Sequence, residues 1–205
     1  MITIVDYGTG NYRSIANMLR RIGHESVLSG DPEEISRASR LVLPGVGAFD
    51  TAMRRLTELG LVEVLHRKVR EEGTPILGIC LGMQLFSRGS EEGRMAGLGW
   101  IAGEVVRFRP EQSDERLRVP HMGWNYAVPA RETRLLADTR EDARYYFVHS
   151  YHLRMEGDDE VLSMTTYGYP FVSGVEAGNV MGVQFHPEKS HTFGMQVLKN
   201  FVERY

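Results

Sequence analysis

Short apolar runs alternate with amphipathic segments through the first half of the chain. Apolar runs of this length between turn residues are typical of buried strands. The intervening segments repeat apolar residues at helical spacing; the first carries Ile15, Leu19 and Ile22 on one stripe and ends at Gly23. The predicted strands are residues 2–5, 25–28, 41–43 and 75–79, and the predicted helices are residues 14–22, 49–59 and 61–72. This alternation predicts an α/β fold with a mostly parallel central sheet flanked by helices.

The second half has a different pattern, in which apolar runs follow one another without long helical repeats. The predicted strands there are residues 100–108, 145–153, 161–167, 171–176 and 180–185. An amphipathic stripe at residues 197–202 predicts a closing helix. Residues 109–118 are polar and predict a surface loop. Because no linker or repeat interrupts the chain, we expect one domain, residues 1–205, with a strand-rich second half.

Composition narrows the class of protein. The chain has 205 residues, 42% hydrophobic and 25% charged, with a formal net charge of -3. The arginines form no run and no apolar stretch approaches the length of a bilayer span, so we expect neither a nucleic-acid nor a membrane partner. The first residues read as a strand and not as a signal peptide, and one cysteine excludes an internal disulfide. We therefore expect a cytoplasmic enzyme.

The single cysteine, Cys80, lies between Gly78 and Gly82 where a predicted strand meets a predicted helix. A Gly-x-Cys-x-Gly sequence at such a junction is the cysteine form of a nucleophile elbow, a turn tight enough to expose the side chain at its tip. The N-terminus of the following helix stabilises a thiolate there. A buried structural thiol is the alternative, but a core strand has no use for two flanking glycines.

His186 and Glu188 supply the other groups that a cysteine nucleophile needs. The imidazole is a candidate base for the thiol proton, and the carboxylate is a candidate to orient the imidazole. On an extended segment residues two apart share one face, and Pro187 between them suits a strand end. The two motifs in this order predict a Cys–His–carboxylate triad.

Two glycine-containing turns follow predicted strands on the same side of the sheet. The turn ending at Asn11 lacks the third glycine of a dinucleotide fingerprint, since Arg13 stands there, so we reject nucleotide binding. We expect this turn on the functional face, with Asn11 at a partner interface. In the turn at residues 44–49, the backbone N–H of Val46 is expected to join that of Leu81 as an oxyanion hole.

Other polar residues are candidates for substrate contacts. Gln84 lies one helical turn after Cys80 and can face the same cleft. Glu91 and Glu92 could bind an ammonium group, although solvated carboxylates are the simpler interpretation. His149 and His152 could form half a metal site, but no second cluster has ligand spacing, so no metal is expected.

The segment at residues 120–125 combines one large aromatic residue, Trp124, with polar neighbours. An aromatic anchor with a polar rim is typical of a contact surface. A tryptophan in the core is the alternative interpretation of the same residues.

Together these motifs resemble the class I glutamine amidotransferases, and within them the glutaminase subunits of imidazole glycerol phosphate synthases. The resemblance covers essentially the whole chain and rests on residues 44–47, 78–84, 120–125, 146–151 and 184–190. It implies hydrolysis of L-glutamine to glutamate and ammonia through a thioester on Cys80, without a cofactor, and ammonia delivery to a (β/α)8-barrel synthase of histidine biosynthesis in a heterodimer. The implied glutamine contacts are Gln84, Glu92, Ser150 and Tyr151. The implied interface residues are His121, Met122, Trp124 and Asn125.

Two alternatives stay open. The combination of residues 191–195, 97–101 and 151–152 resembles a paralogous branch of the family, whose members supply ammonia to synthase-like partners in surface-sugar amidination. Cys–His–carboxylate sites on similar sheets also serve peptidases and small-molecule hydrolases. A peptidase needs an open groove, whereas a glutaminase needs a pocket closed on one amino acid. A catalytically silent subunit is disfavoured, since nothing else requires an intact triad.

Overall fold

The computed structural model describes residues 1–109, 111 and 117–205. The strands are β1 (Ile2–Val5), β2 (Ser26–Ser29), β3 (Arg40–Gly45), β4 (Ile76–Cys80), β5 (Gly103–Arg107), β6 (His121–Asn125), β7 (Val128–Pro129), β8 (Tyr145–His149), β9 (Tyr151–Met155), β10 (Val161–Tyr167), β11 (Tyr169–Ala177) and β12 (Val180–Val183). The α-helices are α1 (Tyr12–Arg21), α2 (Pro32–Ser36), α3 (Phe49–Glu58), α4 (Leu61–His66), α5 (Leu81–Gln84) and α6 (His191–Arg204). Arg67–Glu71 continues α4 as a π-helical turn, and Pro187–Lys189 forms a 3-10 turn.

Within the described residues, ten strands form one mixed sheet in the order β2-β1-β3-β4-β12-β11-β10-β7; β9 branches from β11, and β5 pairs with β9. The strands from β2 to β12 in this order are parallel, and those from β11 onward pair antiparallel. Gly45 pairs with Cys80, and Val183 pairs with Ile79. The parallel register therefore brings the ends of β3, β4 and β12 to one edge of the sheet, where ligands bind in folds of this class.

Two apolar cores cover the parallel part of the sheet, one on each face. Alternating strand residues supply both cores, as at Leu41 and Val42 of β3, which lie in different cores. Helices α3 and α4 pack on one face and α1 and α6 on the other. The predicted α/β fold is confirmed. In the described part of the chain, no helix has the length and apolar character that a bilayer span requires.

In the second half of the chain, one predicted strand is interrupted in the structure. The predicted strand 145–153 is two strands, β8 and β9, that separate at Ser150 and enter different sheets: β8 pairs with β6, and β9 pairs with β5 and β11. Periodicity cannot detect this break, because buried residues continue on both sides of Ser150. The short elements α2 and β6 were not predicted. The predicted loop 109–118 lies largely outside the described residues.

Candidate active site

The proposed nucleophile sits at a strained backbone position. Cys80 ends β4 with φ of 55° and ψ of -111°, and its residue is 6% exposed. A Cβ at Gly78 would lie 2.6 Å from the Phe86 ring, and one at Gly82 would lie 1.8 Å from the Leu43 carbonyl oxygen. The two glycines are therefore required by close packing around the turn, as an elbow predicts.

His186 and Glu188 form a buried hydrogen-bonded pair beside this thiol. Nδ1 of His186 lies 2.9 Å from Oε1 of Glu188, and the side chains are 2% and 1% exposed. Burial is the largest influence and lowers the pKa of His186, but Cys80 and then Glu188 outweigh it and raise that pKa to about 10. Nε2 makes no well-formed hydrogen bond to a described residue, so it remains available for proton transfer near the thiol. Cys80 and Glu188 therefore both favour the charged form of the imidazole.

The local structure of the pair differs from the extended segment expected from the sequence. β12 ends at Val183, and Glu188 lies in the 3-10 turn Pro187–Lys189. Ser190 fixes this turn, because its hydroxyl donates to the His186 carbonyl at 2.7 Å and accepts from the Tyr146 N–H at 2.9 Å. The turn, and not strand alternation, brings the carboxylate to the imidazole.

Gln184 is a functional candidate that the sequence pattern does not indicate. Its Nε2 donates to Cys80 Sγ at 3.6 Å, and its Oε1 accepts from Gln84 Nε2 at 3.0 Å. Gln84 Nε2 also donates to the Tyr151 carbonyl at 3.0 Å. Gln184 is fully buried, so this amide chain links the thiol to the cleft wall in a fixed orientation. Its place next to the His186 motif was the available signal.

A cleft of about 350 Å³ opens over Cys80. That volume suits a small molecule and lies at the low end for ligand sites. The predicted nucleophile, base, oxyanion donors and glutamine contacts all line it: Cys80, His186, Val46, Leu81, Gln84, Glu92, Ser150 and Tyr151. Glu188 lies behind His186, outside the lining.

The two neighbouring glutamates have different surroundings. Glu91 pairs with Arg109 at 2.8 Å and accepts from the Arg107 N–H at 2.9 Å, so it faces away from the cleft. Glu92 lines the cleft and accepts from the Phe49 N–H at 2.9 Å. Only Glu92 is therefore placed to contact a ligand in the cleft.

The residues assigned to a partner interface differ in exposure and separate into three groups. Met122 and Trp124 are 62% and 45% exposed, and the Trp124 ring stacks on His191 at 5.4 Å. A core tryptophan is thereby excluded for Trp124. Asn11 and Asn125 are half-buried. The prediction that His121 presents a contact surface is wrong, because its ring is buried between Phe147 and Tyr167.

His121 instead begins a buried polar chain that reaches the cleft. The Asn125 amide lies 3.3 Å from Nε2 of His121, Nδ1 of His121 lies 3.2 Å from Nε2 of His149, and Nδ1 of His149 lies 2.8 Å from the Tyr151 carbonyl. The Asn125 atom that faces His121 is Nδ2, which can only donate, because Oδ1 of the same amide accepts from the Tyr126 N–H at 2.8 Å. Each imidazole therefore accepts at Nε2 and donates onward from Nδ1, and both are neutral. Burial lowers the pKa of His121 to about 4 and that of His149 well below 6.5. Over the described residues, no three His, Cys, Asp or Glu side chains form a metal-binding group.

Comparison with known proteins agrees with this geometry. The family model of class I glutamine amidotransferases matches residues 3–205. The chain belongs to the class I glutamine amidotransferases.

Two curated relatives are similar over their whole length. Imidazole glycerol phosphate synthase subunit HisH 2 of Methanococcus maripaludis is 48% identical over 204 residues, covering 100% of both chains. The protein of the same name from Pseudomonas aeruginosa is 49% identical over 203 residues, covering 99% of both.

Solved structures share the fold of this amidotransferase at low identity. A chain of PurLQS from Thermotoga maritima has a TM-score of 0.74 at 18% identity, covering 99% of this chain and 97% of its own. A structure described as a glutamine amidotransferase has a TM-score of 0.71 at 22% identity, covering 98% and 97%.

Proposed function

We propose that this amidotransferase is the glutaminase subunit of an imidazole glycerol phosphate synthase. It hydrolyses L-glutamine to glutamate and ammonia and passes the ammonia to a (β/α)8-barrel synthase subunit, in the cytoplasm, as one domain of residues 1–205. The observation that carries the proposal is the Cys80–His186–Glu188 group, whose Cys80 and His186 line one cleft of about 350 Å³ together with every predicted glutamine contact.

The site supports a thioester mechanism. The Cys80 thiolate attacks the amide carbon of glutamine, and the N–H groups of Val46 and Leu81 stabilise the oxyanion that forms. Protonated His186 donates its proton to the leaving nitrogen, so ammonia departs and a γ-glutamyl thioester remains. His186 then takes a proton from water, hydroxide attacks the thioester, and glutamate leaves with Cys80 restored. The new γ-carboxyl group releases its proton, so the sum is glutamine plus water giving glutamate, ammonia and one proton.

Two further residues supply recognition in this proposal. The Glu92 carboxylate pairs with the α-ammonium group of glutamine, and Gln84 with the backbone at Ser150 and Tyr151 contacts the remaining polar groups. A cleft of about 350 Å³ with one carboxylate in its wall suits a single amino acid and not an extended peptide. This favours a glutaminase over a peptidase.

The exposed surface formed by Met122 and Trp124 supports a protein partner. An exposed tryptophan beside a large apolar residue is typical of an interface anchor. Ammonia becomes ammonium in water and then cannot act as a nucleophile, so hydrolysis is useful only with an acceptor nearby. Val46 is 42% exposed and precedes Gly47, whose φ of 101° favours glycine, and we expect this loop to be the part of the site that changes when a partner binds.

The test is glutamate release by the chain alone, with the histidine-pathway barrel subunit and its ligand, and with a synthase-like subunit of surface-sugar amidination. We expect strong stimulation by the first partner and little release without it. Stimulation by the second alone would replace the histidine assignment with the paralogous one. Equal rates in all three mixtures would contradict partner gating, and Cys80→Ala serves as the inactive control.

A further inference from the structure

The N-terminus of α3 and the loop that carries Glu92 are joined by hydrogen bonds in both directions. The Phe49 N–H donates to Oε2 of Glu92 at 2.9 Å. In return, Asp50 accepts from the Arg94 N–H at 2.9 Å and from the Met95 N–H at 3.0 Å. Two successive residues of α3, Phe49 and Asp50, thus form hydrogen bonds with the loop on both sides of Gly93.

The contact between Asp50 and this loop leaves no free space. A Cβ at Gly93 would lie 1.9 Å from Oδ1 of Asp50. The backbone hydrogen bonds from Arg94 and Met95 lower the pKa of Asp50, so the carboxylate is charged at neutral pH and both bonds are charge-assisted. Asp50 itself does not line the cleft over Cys80. Its side chain acts on the loop and not on a ligand.

This arrangement divides the two oxygens of Glu92 between two tasks. Oε2 is committed to the Phe49 N–H, while Oε1 accepts no hydrogen bond from a described residue. A charge-assisted hydrogen bond needs close, well-aligned atoms. An ammonium group in the cleft can therefore pair with Oε1 only if the loop holds the Glu92 carboxylate at hydrogen-bonding distance from it.

We propose that Asp50 is a positioning residue for amino-group recognition: by holding the 92–95 loop on α3, it sets the Glu92 carboxylate against the α-ammonium group of the substrate. The inference rests on the proposed function, since it takes glutamine as the ligand of the cleft. It predicts that losing Asp50 weakens recognition of the amino group specifically, while the thioester chemistry at Cys80 is preserved.

The experiment compares L-glutamine with 4-carbamoylbutanoate, which is glutamine without its α-amino group. The kcat and KM for both are measured with the partner subunit present; if the analogue is not hydrolysed, its inhibition constant replaces its kcat/KM. Variants are Asp50→Ala and the milder Asp50→Asn. The matched control is Asp31→Ala, which removes an aspartate that caps α2 through the Glu33 N–H at 2.8 Å, away from the cleft.

In Asp50→Ala we expect KM for glutamine to rise on the order of tenfold, the usual effect of losing one charge-assisted hydrogen bond, with kcat within about twofold. The analogue should be unaffected, so the preference for glutamine falls by the same factor. Asp50→Asn should fall between Asp50→Ala and the parent chain, and Asp31→Ala should keep the full preference. In a Glu92→Gln background Asp50→Ala should change nothing further.

An equal loss for both substrates, or an unchanged preference in both Asp50 variants, would overturn the inference and leave the proposed function standing. Failure of the parent chain with its partner to hydrolyse glutamine would instead overturn the proposed function.

Discussion

Replacing Glu188 with glutamine is the sharpest test of the buried pair in the triad. The amide keeps an oxygen that can accept the Nδ1–H of His186 and removes the negative charge. Burial acts against the charged imidazole, yet the pKa of His186 is raised from 6.5 to about 10. At about 1.4 kcal/mol per pK unit, its favourable interactions exceed the desolvation cost by about 5 kcal/mol. Cys80 is the largest favourable influence and Glu188 follows.

Removing an opposite charge at hydrogen-bonding distance should lower the pKa of His186 by about 1–3. The assay is an NMR titration of histidines labelled at Cε1, with the His186 signal assigned by its loss in His186→Gln. The matched control is Glu203→Gln, because Glu203 pairs with His24 at 3.4 Å on the surface. An unchanged or higher pKa of His186 in Glu188→Gln would refute this reasoning.

Glu188→Gln should also change how the stability of the fold depends on pH. Because the folded-state pKa of His186 lies above 6.5, its interactions stabilise the fold fully below pH 6.5 and are lost as pH rises toward 10. Denaturation of Glu188→Gln should therefore show a deficit at pH 6 that narrows at pH 9. Activity should be reduced but measurable, whereas His186→Ala should be almost inactive, since the base is lost outright.

Three further outcomes are expected. Gln184→Leu should lower kcat/KM for glutamine on the order of tenfold or more with the fold intact, because it removes the donor to Cys80; unchanged kinetics would exclude that role. Trp124→Ala should weaken partner binding by about 1–3 kcal/mol in titration calorimetry. Because the ring is half exposed, the free energy of unfolding should change by only about 1 kcal/mol. A large drop in melting temperature at unchanged affinity would contradict an interface role. The folded-state pKa values of His121 and His149 lie below 6.5, so their contribution to the free energy of unfolding should be fully present above pH 6.5. As the pH falls toward 4, that free energy should drop by up to ~1.4 kcal/mol per pH unit for each group. Equal denaturation midpoints at pH 7 and pH 5 would argue against this.

The sequence predicts those parts of the fold that depend on local pattern. β1 and β10 have the predicted bounds, and α3 and β4 differ by about one residue, because each is a strongly patterned buried element between turn residues. The break at Ser150 depends on which strands each half pairs with. Strand pairing depends on tertiary contacts, so the periodicity of the sequence does not predict it.

The same distinction applies to the site. The elbow at Cys80 is visible in the sequence because its glycines are local requirements of the turn. The pattern does not indicate a role for Gln184, because its contacts with Cys80 and Gln84 join residues that are 104 and 100 positions apart in the chain. The sequence suggests a surface position for His121 because its neighbours are polar and aromatic. In strand β6, however, successive side chains point to opposite faces, so His121 faces the core while Met122 faces solvent.

Rapid acid quench during glutamine turnover, followed by peptide mapping with mass spectrometry, tests the central claim most directly. A γ-glutamyl adduct should appear on the peptide that contains Cys80 when the chain is mixed with its partner and glutamine. The adduct should be absent from Cys80→Ala. Glutamate release without any adduct on Cys80, or turnover by Cys80→Ala, would contradict the account.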